Sequence, residues 1–382
     1  MNALLFPENL IRRLTKRIDW LLFVFVLPIL AAGLVTMKSF TGISTVFDRQ
    51  IIWILVAFLF FFGFSFIDFR FLKRTNILVP LFLGCITLLF ILFILGNTAK
   101  GAQSWFDFGS FSFQPADLTK LVLILILSKY FSRRHVEIRN IKHLFISGLY
   151  AIIPFVLVLL QPDFGSALVI FFIWLGMTIV SGISKKHLLL VFLVGALAFS
   201  GLWLFVFQTY QKDRILSFVH PLVNIHGSGY NAYQSTIAVG SGQLFGKGIG
   251  YGTQSRLKFL PEYETDFIFA AFAEEWGFVG VIILLFLFTL VLWRILANTM
   301  VGASNFEMLY GSGVAIFFIS HIFVNVGMNI GILPVTGIPL PFMSYGGSHL
   351  VTEFMALGIL LGMRAYSRTT HPDNMKNEFL GI

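Results

Sequence analysis

The sequence predicts an all-α polytopic membrane protein of about ten transmembrane helices. Hydrophobic residues make up 57% of the 382 positions and charged residues only 12%, where a soluble domain carries about a quarter. The apolar residues also fall in runs of about 20, the length an α-helix needs to cross the hydrocarbon core. A third observation, the placement of Lys and Arg, gives those runs an orientation.

In chain order the runs lie near 19–37, 49–68, 75–95, 115–131, 143–160, 164–182, 188–207, 266–293, 307–330 and 348–364. The first, Trp20 to Met37, is long enough to span and is followed by many more, so it reads as a span and not as a cleaved secretory signal. The third holds the single cysteine, Cys85, which can form no intrachain disulfide and says nothing about compartment. The fourth opens on Asp117 and Lys120, and the eighth opens on Asp266 and contains Glu274 and Glu275.

With the N-terminus inside, Arg12, Arg13, Lys16, Arg17, Arg70, Lys73 and Arg74 fall on inner segments, as do Lys129, Arg133, Arg134, Arg139 and Lys142. Lys185, Lys186, Arg294, Arg364, Arg368 and Lys376 complete the inner set, against Lys38, Arg49 and Lys100 in the short outer loops. That bias puts both termini in the cytoplasm. It also accounts for the net charge of +9, so membrane lipids and not nucleic acid are the expected surroundings. The chain reads as one membrane domain, 1–382, with a long extracytoplasmic loop over 208–265 before helix 8. Loops of that length are uncommon without a function.

Four stretches are richer in polar and turn residues than a passive bilayer protein needs. They are KGAQSWFDFGSFSFQPADLTK (Lys100–Lys120), QPDFGSA (Gln161–Ala167), the long loop into LPEYETDFIF, and LPVTGIPLPFMSYGGS (Leu333–Ser348). On this topology all four begin at the outer face, which predicts a functional surface open to the outside and floored by helix ends.

Asp266 precedes an apolar run, where an acid serves either as a helix N-cap or as a working carboxylate. Glu262 and Glu264 oppose its ionisation by repulsion and the helix start favours it, which makes it a candidate general base. Around an ideal helix Glu274 stands about 80° from Asp266 and Glu275 about 180°, so Glu274 alone could share its cavity. The other reading is that these intramembrane acids pair with a cation. Asp117 and Lys120, three apart, form either an ion pair or a site in which Lys120 meets a phosphate. Trp105 is an interfacial aromatic or, beside Lys100, a face on which a sugar stacks. His220 and His226 lack metal-ligand spacing. GQLFGKG is one residue short of a nucleotide-binding phosphate loop, with no Ser or Thr after Lys247.

Chemistry outside the membrane cannot draw on ATP, so a substrate there must bring its own leaving group. A lipid-linked diphosphate sugar does, and its transfer requires cations for the diphosphate and a carboxylate for an acceptor hydroxyl. Lys100, Lys120, Arg214 and Arg256 are the candidate cations, with a divalent ion, Mg or Mn, as a candidate cofactor. Transport of a lipid-linked substrate, or scaffolding of a partner enzyme, are the rival classes. A transporter needs its charges near the midplane, whereas these cluster at the outer edge.

The chain resembles the SEDS family of bacterial envelope proteins (shape, elongation, division and sporulation) over nearly its whole length. The resemblance rests on KGAQSW, FQPADLTKL, QPDFGSAL, YQKDRILSF, the long run GSGYNAYQSTIAVGSGQLFGKGIGYGTQSRLKFLPEYETDFIFAAFAEEWGFVG, and NVGMNIGILPVTGIPLPFMSYGGS. The PVTGIPLPFMSYGGS form looks more like the elongation member than the division member. The resemblance implies a ten-helix peptidoglycan glycosyltransferase that polymerises lipid II and works with a class B penicillin-binding protein. It implies that Asp266 is the essential acid and that Trp105, Asp117 and Lys120 belong to the functional set. Three positions depart from the pattern: Ser104 replaces a basic residue, Asp117 a glutamate, and Glu264 a histidine.

Overall fold

The structure, a computed structural model, describes residues 18–39, 45–96, 104–107, 109, 112–133, 141–205, 212, 216, 218, 229–302 and 304–370. Among them are ten helices of 17 residues or more, one for each apolar run. In chain order these are α1 (Trp20–Ser39), α2 (Thr45–Phe66), α3 (Thr75–Leu95), α4 (Pro115–Ser132), α5 (Ile141–Leu160), α6 (Phe164–Val180) and α7 (Lys185–Phe205), then α10 (Ile268–Thr299), α11 (Asn305–Asn329) and α12 (Gly347–Thr370). Between α7 and α10 lie two short helices, α8 (Tyr230–Ser241) and α9 (Thr253–Arg256). Seven of the ten, α1, α2, α3, α5, α7, α10 and α11, are long and apolar enough to cross a membrane by length and composition. Of the others, α4 carries Asp117, Lys120 and Lys129, α6 is an apolar helix of 17 residues, and α12 contains Glu353 and Arg364.

The helices sort by where their apolar surface goes. Helix α4 is buried almost all round, from Pro115 to Phe131, and packs against α3, α6 and α11 as the centre of the bundle. Helix α12 lies along α2, and α10 lies between α1 and α11. Helix α7 is the opposite case, with Leu189, Leu197, Leu204 and Phe205 all exposed, a surface suited to lipid tails.

Two details add to the sequence reading. A two-stranded antiparallel hairpin, Phe106–Asp107 paired with Ser112–Phe113, precedes α4 and is the one sheet among the described residues. Within the described part of the 208–265 segment, α8 packs on α10 and α11.

The glycine tract GSGQLFGKGIGYG explains that packing. Helix α10 is broken at Gly277, whose φ of 66° and ψ of −168° suit glycine alone. The break would leave backbone groups unpaired, which is costly where water is scarce. The tract supplies them: Lys247 N and Gly248 N donate to the carbonyls of Glu274 and Glu275, and Phe278 N and Val279 N donate to those of Gln243 and Leu244. A Cβ on Gly246 or Gly277 would collide with the opposing backbone, so both positions require glycine.

Four of the basic residues expected on the inner side meet at the end of the bundle opposite Asp266. Asp19 accepts from Arg294 at 2.7 Å, from Arg364 at 3.1 Å and from Asn298 at 2.6 Å. Lys73 pairs with Glu307 at 2.7 Å, and Lys129 Nζ donates to the Lys73 carbonyl.

Candidate active site

Asp266 sits in the turn that leads into α10. Its N-cap reading does not hold: the helix starts at Ile268 with Phe267 in the cap position and no side-chain cap. The backbone here is instead held from outside. Asn325 Nδ2 donates to the Asp266 carbonyl at 3.0 Å and to the Ile338 carbonyl at 2.7 Å, and Asn329 Nδ2 donates to the Asp266 carbonyl at 3.1 Å. Both asparagines are fully buried, one turn apart on α11. Ser344 Oγ donates to the Thr265 carbonyl at 2.7 Å, and Tyr345 N to the Glu264 carbonyl at 2.8 Å. Glu264-Thr265-Asp266 is therefore fixed by α11 on one side and by the 333–346 loop on the other. That loop turns at Gly337, φ 73°, where a Cβ would stand 3.5 Å from Asp266 Oδ2. The half-buried carboxylate thus lies beside Gly337, a position without a side chain.

The four polar stretches meet as the sequence predicts. Gln114 Nε2 donates to Asp163 Oδ2 at 3.0 Å, and Gln114 N to Ser348 Oγ at 3.3 Å. Asp163 in turn caps α6 by accepting from Ser166 N at 2.9 Å. Gly165 approaches the Thr336 carbonyl so closely that a Cβ would displace it. Through these contacts and those of Ser344 and Tyr345, the first, second and third stretches are all joined to the fourth.

Beneath them lies a buried charge cluster. Lys120 Nζ is 3.0 Å from Asp117 Oδ1, with both side chains at most 2% exposed. The ion-pair reading of Asp117 and Lys120 is therefore what the geometry contains. His349 joins it, with Nδ1 3.3 Å from the same Asp117 oxygen and Nε2 2.9 Å from Glu353 Oε1. Glu353 Oε2 accepts from Phe342 N at 3.0 Å. The His321 ring stacks on that of His349 at 4.5 Å, with its Nδ1 3.4 Å from the Pro339 carbonyl.

Glu274 follows the pairing expectation and not the shared-cavity one. Its carboxylate, 0% exposed, meets Lys247 Nζ at 2.7 Å, Gln254 N at 3.1 Å and Thr253 Oγ1 at 3.2 Å. With these donors the side chain ties α9 and the glycine tract to α10. Glu275 accepts from Gly250 N at 2.6 Å on the same tract. Trp105 is half-buried beside the hairpin, and Arg256 is exposed at the end of α9. Lys100 and Arg214 lie outside the described residues.

Residues 12–369 match the FtsW/RodA/SpoVE family, described as cell cycle protein. The chain belongs to this family. FtsW/RodA/SpoVE relatives include the Escherichia coli protein named peptidoglycan glycosyltransferase MrdB, 37% identical over 288 residues, which are 75% of this chain and 78% of that one. Stage V sporulation protein E of Bacillus subtilis is 40% identical over 293 residues, 74% of this chain and 78% of that one. A chain from a structure reported as the structural coordination of polymerization and crosslinking by a peptidoglycan synthase complex matches at a TM-score of 0.78 and 31% identity, covering 93% of this chain and 99% of that one. Rod shape determining protein RodA of Thermus thermophilus matches at 0.69 and 30% identity, covering 93% and 98%. A multi-pass inner-membrane protein is the corresponding setting.

The sequence reading missed the residues that hold this site together. Asn325 and Asn329 had a signal, two amides at i and i+4 in an otherwise apolar helix, a spacing that puts both on one face. His321, His349 and Glu353 had none that separates them from isolated polar residues, because their meaning lies in contacts between α4, α11 and α12.

Proposed function

We infer that this chain works as its relatives are named: it is a peptidoglycan glycosyltransferase serving cell shape. Its substrate is lipid II, and Asp266 is the general base. The Asp266 carboxylate takes the proton of the acceptor sugar's 4-hydroxyl as that oxygen attacks the anomeric carbon of the donor glycan. The new C–O bond forms as the bond to the diphosphate breaks, the lipid-linked diphosphate leaves with the electron pair, and the anomeric centre inverts. One observation carries this reading: a half-buried carboxylate whose backbone is held by two buried asparagines and whose oxygen lies beside Gly337. A group so fixed spends little freedom in reaching the acceptor.

Trp105 offers a face for a sugar ring at the hairpin, and Arg256, Lys100 and Arg214 are the candidates to neutralise the diphosphate. Lys120 is paired and buried, so its part is to fix α4 beneath the site while any phosphate contact falls to the other candidate cations. Among the described residues no group of three or more His, Cys, Asp or Glu is set to hold a metal ion, and no step is routed through one. The partner is a class B penicillin-binding protein whose transpeptidase crosslinks the new strands, a reading supported by the likeness to a chain of a peptidoglycan synthase complex.

The test is polymerisation of labelled lipid II by the purified protein with its transpeptidase partner. Asp266→Asn is expected to abolish chain synthesis while the protein remains folded. Near-normal synthesis by that variant would remove Asp266 as the base.

A further inference from the structure

His349 is surrounded on every side by groups that give it a defined charge and a mechanical connection to Asp266. Its two ring nitrogens each face a carboxylate oxygen, Asp117 on α4 at 3.3 Å and Glu353 one turn along its own helix at 2.9 Å. A neutral imidazole has one N–H and one lone pair, so it would turn that lone pair toward one of the carboxylates, whereas an imidazolium presents positive charge to both. The other charged or titratable groups facing it are Lys120 from α4 and His321 from α11. With Lys120 charged, Asp117 and Glu353 ionised and His321 neutral, a charged His349 makes the buried sum zero. A neutral His349 leaves one negative charge uncompensated in a buried site.

The connection runs through Glu353. The oxygen that does not face His349 accepts from Phe342 N at 3.0 Å, so the carboxylate that holds the ring also holds the 333–346 loop. His321 meets the same loop at the Pro339 carbonyl, and Asn325 meets it at the Ile338 carbonyl. Gly337, which faces the Asp266 carboxylate, is the next residue back along that loop. The loop is thus fixed at Ile338, Pro339 and Phe342 from below, and at Ser344 and Tyr345 to the Glu264-Thr265 backbone.

We propose that His349 is a positioning residue for glycosyl transfer: as an imidazolium it compensates the buried charge of Glu353 beside Asp117, and so lets Glu353 hold Phe342 N and with it the loop that brings Gly337 to Asp266. The proposal rests on the reading of Asp266 as the working carboxylate. It assigns His349 no contact with substrate. Loss of its charge therefore lowers turnover and leaves substrate affinity alone.

The experiment compares His349→Gln, the double variant His349→Gln with Glu353→Gln, and Asp266→Asn, each as full-length protein with its transpeptidase partner and labelled lipid II. His349→Gln is expected to lower kcat by about tenfold or more while KM stays within about twofold. The double variant removes one positive and one negative charge together, and a glutamine at 353 still offers an oxygen to Phe342 N. It is expected to recover kcat to within about threefold of the unmodified protein, although it carries the greater number of substitutions. Wild-type kcat in His349→Gln overturns the proposal, and so does a double variant no better than the single one. Should His349→Gln fail to fold in a detergent melt, the double variant decides alone, since charge balance requires it to fold and turn over. An active Asp266→Asn would overturn the base assignment separately, because the His349 comparison does not depend on that variant.

Discussion

Asn325 spends both protons of its side-chain amide on backbone carbonyls, one on Asp266 at 3.0 Å and one on Ile338 at 2.7 Å. A single buried side chain thereby sets the spacing between the turn that carries the candidate base and the loop that faces it.

Asn325→Ala should separate the two. It leaves the Asp266 carbonyl with Asn329 and the Ile338 carbonyl without this donor, a loss of about 1–3 kcal/mol. The expected result is a lower melting temperature in detergent together with a fall in kcat for lipid II polymerisation. A variant that lost stability but kept full turnover would show that the spacing has no catalytic consequence.

Gly277 makes a prediction of a different kind, since its effect is confined to the backbone. At φ 66° and ψ −168° an alanine costs about 1–3 kcal/mol in conformation alone. Its Cβ would also run into Gly246, and neither backbone can yield without breaking the bonds that bridge the helix break. Gly277→Ala is therefore expected to expose the 243–250 segment to limited proteolysis and to reduce the yield of folded protein. Unchanged protection of that segment would mean that α10 tolerates a continuous helix there.

The spans were legible because a bilayer imposes one length and one composition on every crossing helix, and the runs from Trp20 to Met37 and onward meet both. Asp266 was legible as an acid at the start of an apolar run, but its environment was not. The amides that hold it come from α11, 59 and 63 residues away, and the loop that faces it lies beyond α11. The glycine tract was visible as unusual, yet its use depends on a helix break at Gly277 that no periodicity announces. Glu274 shows how local geometry misleads. Its angle on the helix favoured Asp266's cavity, whereas a lysine 27 residues earlier in the chain took its carboxylate. His349 and Glu353 are four apart on α12, and the meaning of that spacing needs Asp117 from α4.

Lys247→Met tests whether the strap over α10 is electrostatic. The substitution keeps the length of the side chain and leaves Glu274 buried without its cation, at a cost of about 3 kcal/mol. Adding Glu274→Gln should restore much of that loss, because the amide needs no counter-charge and can still accept from Gln254 N. The check is a double-mutant cycle on the melting temperature, in which the two changes are expected to be less than additive. Strict additivity would mean that the two side chains act independently.

The other end of the bundle supplies the control for all of these. Asp19 gathers Arg294, Arg364 and Asn298 where α1, α10 and α12 come together, far along those helices from Asp266. Asp19→Ala leaves two guanidinium groups facing each other without the carboxylate, one of them only 9% exposed. The expected cost is about 3 kcal/mol of stability. Because the outer contacts of Asp266, Asn325 and Gly337 are untouched, kcat and KM of the folded fraction should match the unmodified protein. Polymerisation at a temperature well below the melting transition measures this directly. A kcat that fell in step with the Asn325 variant would mean that the two ends are coupled through α10 and that the outer site is not an independently fixed unit.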